Sequence, residues 1–389
     1  MKQLLIITLL ASLLLSACGT AEFECVDPLG CVLLEGDDPI TLGAALTLSG
    51  PDSPYGIDAL RGVELAISDH GAIYGHELNL ITADDKCSAA GGEAAALDLL
   101  ANPSIVGVIG TTCSSGTTSA ARILSDAGLV LISPSSTAAS LTDPAKHQLG
   151  FLRTIYNDKN QAQLVANFAF NALGVLTMAG IHDGTPYSKE LVESACEAFE
   201  QFGGECIAVE QIVSGEDVLP ALKRIASRNP EALYYPLYTT DGVAVTKDAS
   251  AAGLLNVALI SSDGLLSSDF LTQAGRNSDG MYISGPSVLD IDPAFFEAYR
   301  ARYKEEPIAV YAAQAYDATR ILLNAIESAG IQVGSRLYIP RAALRRALFA
   351  THNYEGLSGI ITCSNSGDCA APNIVIYQVN PPKFTPIYP

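Results

Sequence analysis

IVGVIGTTCSSGTTSAARILSDAGLVLI, residues 105–132, is the stretch whose reading decides the fold. Residues 105–110 form a short, almost unbroken apolar run, the mark of a strand buried on both faces. A loop of hydroxyls follows, Thr111-Thr112-Cys113-Ser114-Ser115-Gly116-Thr117-Thr118, and helical spacing runs over 115–127. A second apolar run, 129–132, completes strand–helix–strand. That unit predicts a parallel sheet with helices on its faces.

The pattern repeats in both directions. Strands are expected at 40–46, 77–83, 176–181, 207–212, 232–237, 257–260 and 280–284, with a last one at 374–379. Helices are expected between them, at 56–70, 92–100, 161–173, 189–202 and 217–227, and a strongly helical run covers 309–330. The alternation restarts after 151–160, and there are too many strands for one small unit. The expected class is therefore α/β, with two doubly wound parallel-sheet lobes, which 389 residues accommodate comfortably.

The chain opens with Lys2, an apolar run from Leu4 to Leu15, and Leu15-Ser16-Ala17-Cys18. This describes an export signal over 1–17, too short to span a membrane. The last four positions look like a bacterial lipobox, in which Cys18 takes lipid and becomes the mature N-terminus. An ordinary cleaved signal beside a chance cysteine is the alternative. Residues 18–38 are rich in Gly, Asp, Glu and Pro and read as a tether with one small cysteine loop. The expected location is outside the cell membrane, lipid-anchored to its outer face, and periplasmic if the host has two membranes.

A net charge of −20 repels nucleic acid and anionic head groups, so neither is an expected partner. Nine cysteines in an exported chain read as disulfides, and setting Cys18 aside leaves an even number. They fall into sequence-near pairs: Cys25–Cys31, Cys87–Cys113, Cys196–Cys206 and Cys363–Cys369. Other pairings stay open from spacing alone. None has the spacing zinc prefers, and the 363–369 loop is too short for a calcium loop of the EF-hand kind. No metal and no cofactor are expected.

In open parallel sheets, ligands gather beyond the carboxyl ends of strands. There the first lobe offers the 111–118 loop and Ser133-Pro134-Ser135-Ser136-Thr137, hydroxyls and backbone N–H groups suited to an anion, or simple helix caps. The second lobe offers His182-Asp183-Gly184-Thr185-Pro186-Tyr187, Tyr238-Thr239-Thr240-Asp241 and Ser261-Ser262-Asp263-Gly264. Asp241 and Asp263 serve equally as turn residues or as partners for an ammonium group. Anion donors on one lobe, with aromatics and a carboxylate on the other, make a site for a zwitterion. There is no GxSxG, GxxxxGK[ST] or HExxH, and no constellation for nucleophilic catalysis, so an enzyme is not expected.

Three stretches carry a resemblance: Leu48-Ser49-Gly50-Pro51 with Tyr55-Gly56, Cys87 with Cys113-Ser114-Ser115, and the 133–137 loop. They are similar to the branched-chain amino-acid (Leu/Ile/Val)-binding protein family, type I periplasmic solute-binding proteins of ABC transporters. The likeness runs from about residue 40 to 316 and more loosely to the end, and includes Tyr234-Tyr235. It implies a Venus-flytrap, two lobes joined by a hinge, with lobe 1 at 39–154 and 288–355 and lobe 2 at 155–287 and 356–389. It further implies that Ser114 and Thr137, with backbone at Thr112 and Ser135, hold the ligand's carboxylate and amino group. Asp263 stands where the family commonly has an acidic residue, often glutamate, for the ammonium. Tyr55, Tyr187 and Tyr238 would close over the ligand, and Cys87–Cys113 matches a disulfide of the family. The implied function is an extracytoplasmic receptor, a monomer, that hands an amino acid to ABC permease subunits. The rivals are the same fold binding an amide, urea or aromatic acid, and a ligand sensor, for which no fused signalling module is seen.

Overall fold

The computed structural model describes residues 23–389. The expected signal segment 1–17 and lipid attachment at Cys18 fall outside the described residues. The first strand, β1 (Cys31–Glu35), pairs antiparallel with a strand from near the other end of the chain, Arg336–Pro340. The tether expected over 18–38 is therefore corrected, because part of it is built into the body. Val32 and Leu34 alternate inward into the core, Phe23 packs on Tyr338, and Asp27 accepts hydrogen bonds from the N–H groups of Ala342 and Ala343. That contact caps the helix Arg341–Phe349, whose own first residues supply no capping side chain.

The first lobe is built on β2 (Ile40–Leu46), β3 (Leu78–Asp84), β4 (Ile105–Gly110), β5 (Leu131–Ser133) and β6 (Phe151–Arg153). They lie parallel in the order β3-β2-β4-β5-β6. β2 and β4 are buried along their whole length, which is why they read as unbroken apolar runs. The helix Ser53–His70 packs closely on the helix Ala312–Ala329: a Cβ on Gly62 would stand 2.0 Å from the carbonyl oxygen of Ala312. Asp58, wholly buried on the first of these helices, accepts from the N–H groups of Tyr311 and Ala312 at 2.9 Å each and from the Tyr299 hydroxyl at 3.0 Å. One helix thus caps the next and fixes Tyr311 at its start.

The second lobe carries β7 (Thr177–His182), β8 (Glu205–Gln211), β9 (Ala232–Tyr234), β10 (Ala258–Ser261) and β11 (Tyr282–Pro286), parallel in the order β8-β7-β9-β10-β11. Its helix Pro186–Phe202 starts on a Thr185 cap with Pro186 in the first turn and stops at Gly203 in the left-handed region. The chain then returns to the first lobe for β12 (Ile331–Val333), β13 (Arg336–Pro340), β14 (Tyr354–Gly356) and β15 (Gly359–Ile361). Finally β16 (Ile374–Asn380) and β17 (Lys383–Tyr388) add two antiparallel strands beside β11. Residues 354–370 stay with the first lobe, with Ile361 and Cys369 in its core and the Cys369 N–H bonded to the carbonyl of Arg153. The last crossing falls at about 371–373, later than the expected boundary at 356. The four expected cysteine pairs all form disulfides.

Candidate ligand-binding site

Each sheet has a point where neighbouring strands carry their connections in opposite directions, and the two points face each other. In the first lobe the loops after β2 and β4 open there; in the second, those after β7, β9 and β10 do. Between them lies a small cavity lined by Tyr55, Thr112, Ser135, Tyr187, Tyr238 and Asp263, all expected from the sequence. Cys113, Gly264 and Tyr311 join them. The lobes touch across this cavity: the Tyr55 hydroxyl donates to the Gly264 carbonyl at 2.5 Å, and the Thr239 N–H donates to Asp52 at 3.1 Å. The conformation is closed.

Asp263 is the centre of the site. It is 1% exposed, and three neutral donors reach it. Gln161 Nε2 and the Tyr187 hydroxyl meet Oδ1 at 2.9 Å each, and the Tyr311 hydroxyl meets Oδ2 at 2.7 Å. Burial pushes its carboxyl above the ordinary range, while the three donors pull the other way. The same burial, with the Asp263 charge beside them, holds the phenols of Tyr187 and Tyr311 protonated far above neutral pH. Tyr187 stacks on Tyr238 with ring centres 5.0 Å apart, and Tyr55 meets Tyr311 edge to face at 5.9 Å. These pairs form rigid walls with polar tips.

Behind the cavity a second carboxylate is buried. Asp158 begins the helix Asp158–Asn167, and neither of its oxygens has a hydrogen-bond partner among the described residues. Its carboxyl is pushed well up by burial and then by the Asp263 charge. Thr137 Oγ1, the Tyr156 and Tyr234 hydroxyls and Gln161 Oε1 are likewise buried without partners.

The first-lobe loops differ in part from expectation. Thr112 lines the cavity, but its N–H is bound by Asp85 Oδ2 at 2.7 Å, and its carbonyl accepts from the Ser135 hydroxyl at 2.7 Å. The Ser135 N–H is turned back to Ser133. The role implied for the Thr112 backbone is therefore corrected: Asp85, itself held by Thr47 and the Cys87 N–H, has taken its N–H. Ser114 and Thr137 do not line the cavity; Ser114 Oγ accepts from the Ala138 N–H at 3.2 Å, and Thr137 is wholly buried, its side chain beside the Asp158 carboxyl. The helix Ser114–Asp126 begins with Cys113, which supplies no capping side chain, so its first N–H groups keep their capacity for an anion.

His182 and Asp183 do not act together. His182 Nδ1 accepts from the Gly184 N–H, and Asp183 binds Thr185. Asp241 accepts from the Gly215 N–H at 2.8 Å, a structural task. Sequence reasoning missed Gln161, Tyr311 and Asp158. They arrive on segments that cross between the lobes rather than on loops after strands.

A family model described as periplasmic binding protein matches residues 39–383. The chain is 26% identical to the Leu/Ile/Val-binding protein homolog 3 of Brucella melitensis over 87% of this chain and 91% of that protein. It is 27% identical to the Leu/Ile/Val-binding protein of Escherichia coli strain K12 over 73% and 78%. Among solved structures, a leucine binding protein of Thermotoga maritima superposes with a TM-score of 0.80 at 23% identity, over 90% of this chain and 97% of the other. A solute binding protein of R. palustris in complex with benzoate does so at 0.77 and 22%, over 90% and 96%. At such identity these structures speak for the fold.

Proposed function

The chain belongs to the periplasmic binding protein family, and from that premise we propose that it is the substrate-binding protein of an ABC transporter. It closes two lobes around an amino acid with a branched or other aliphatic side chain and delivers it to the permease. The observation that carries this reading is Asp263, a buried carboxylate at the cleft with neutral donors and, among the described residues, no basic partner, the setting that favours an incoming ammonium. The ligand's carboxylate goes to the uncapped start of the helix Ser114–Asp126, beside Thr112 and Ser135 on the cavity wall. Tyr55, Tyr187 and Tyr238 close over it. Two or three charge-assisted bonds at roughly 1.5–3 kcal/mol each, together with about 1.5–3 kcal/mol from the buried ligand side chain and less the association costs, reach at most about micromolar affinity. The chain works as a monomer held to the outer membrane face through Cys18. Among the described residues no helix is long and apolar enough to cross a membrane.

A specific observation favours a second reading. Among the described residues no aliphatic side chain lines the cavity, whose walls are tyrosines and small polar residues. Such walls suit a small amide, urea or an aromatic acid, for which Asp263 would accept from neutral N–H or hydroxyl groups.

A thermal-shift screen of protein unfolded and refolded to strip bound ligand decides between them. At a hundredfold excess over its dissociation constant, a ligand adds ~2.7 kcal/mol. Shifts confined to aliphatic amino acids support the first reading. Shifts only from ligands without an amine keep the receptor but overturn the role of Asp263.

A further inference from the structure

We infer that Asp368, on the loop closed by the Cys363–Cys369 disulfide, is a positioning residue for the ligand loop 134–138, acting through the buried guanidinium of Arg153. Arg153 is fully buried at the end of β6. Its Nη1 donates to the carbonyls of Ser136 and Ala138 at 3.2 and 2.9 Å, the two residues that flank Thr137. Its Nη2 donates to the Thr142 hydroxyl at 2.5 Å. The remaining direction, Nε, points to Asp368 Oδ1 at 2.6 Å, the one carboxylate that pairs with it among the described residues.

Asp368 therefore sets where the guanidinium lies, and the guanidinium sets where Thr137 lies. Asp368 is itself fixed from several sides. Its Oδ2 accepts from the Thr142 hydroxyl at 3.0 Å and from Asn157 Nδ2 at 3.3 Å. Its backbone is held by the Arg153 N–H on the Gly367 carbonyl and the Cys369 N–H on the Arg153 carbonyl. A Cβ on Gly367 would stand 2.3 Å from the Phe151 carbonyl oxygen, so the loop can approach this closely only with glycine there. The disulfide holds the two ends of this short loop together. A planar, five-donor guanidinium in a dry site transmits position well, because each donor direction is fixed relative to the others. The loop lies at the surface far from the cavity in sequence, yet it reaches the ligand loop in two contacts.

This inference rests on the proposed role of the 134–138 loop, and the test separates the two. Amide hydrogen exchange and calorimetric titration with L-leucine are compared for wild type, Asp368→Asn and Asp368→Glu. In Asp368→Asn the amides of 135–138 should exchange about tenfold faster, with those of β7 and β9 unchanged, and leucine should bind about tenfold more weakly. Asp368→Glu, which restores the charge, should recover most of both. Unchanged exchange at 135–138 overturns the inference, as does exchange accelerated equally in both lobes, or an unchanged leucine affinity. If the wild type does not bind leucine, the proposed ligand class fails on its own, and the exchange pattern alone decides for or against the positioning role.

Discussion

Replacing Asp263 by Asn separates the charge of the site from its shape. The side chain is isosteric, and the structure indicates what it keeps. The amide oxygen can accept from Gln161 and Tyr187 as Oδ1 does, while the amide nitrogen would face Tyr311, whose hydroxyl turns from donor to acceptor. The ligand-free fold should hold, and the cost of burying an unpaired charge is removed. What is lost is a charged acceptor for an ammonium, worth roughly 1.5–3 kcal/mol in a dry site, or about 10- to 150-fold in affinity. Calorimetric titration with L-leucine and with 4-methylpentanoic acid, which lacks the amine, isolates that contribution. Leucine should weaken by at least tenfold and the acid hardly at all. An unchanged leucine constant, or equal losses for both compounds, refutes the reasoning.

Tyr55→Phe removes the bond from the Tyr55 hydroxyl to the Gly264 carbonyl across the closed cleft. About 1 kcal/mol, roughly fivefold, should be lost, seen in stopped-flow kinetics mainly as faster ligand dissociation. Gly62→Ala should destabilise the protein by about 1–3 kcal/mol in urea unfolding, because the new methyl group meets the Ala312 backbone and forces two helices apart. The last prediction concerns pH. Burial holds the Asp158 carboxyl well above its ordinary value of 3.8, so the native chain keeps this proton where the unfolded chain has released it. Its contribution to stability therefore grows as pH falls through the native value toward 3.8 and is lost as pH rises. Melting temperatures between pH 8 and 5 should rise toward the acid side less steeply in Asp158→Asn than in wild type. Identical slopes would remove Asp158 from this effect.

The strands that decide the architecture were legible because burial on both faces leaves an unbroken apolar run, as in β2 and β4. The cleft residues were legible where the loops after strands carry them, as with Tyr187, Tyr238 and Asp263. Tyr311 and Gln161 were hidden. One is placed by Asp58 from a distant helix and the other by a segment crossing between lobes, contacts that leave no local pattern. The backbone of Thr112 looked free because its partner, Asp85, lies on another loop. β1 was obscured by the Gly, Asp and Pro around it, and its strand partner is supplied some three hundred residues later.

That pairing has a mechanical meaning. Five residues of β1 lie antiparallel to β13, from Cys31 opposite Pro340 to Glu35 opposite Arg336. A pull on the chain ahead of Phe23 along the strand axis loads this ladder in shear, with its hydrogen bonds sharing the force rather than unzipping one by one. Load taken up there passes through β13 straight into the first lobe, whose core holds Val32 and Leu34 together with Leu337 and Ile339, and none of it has to cross the cleft.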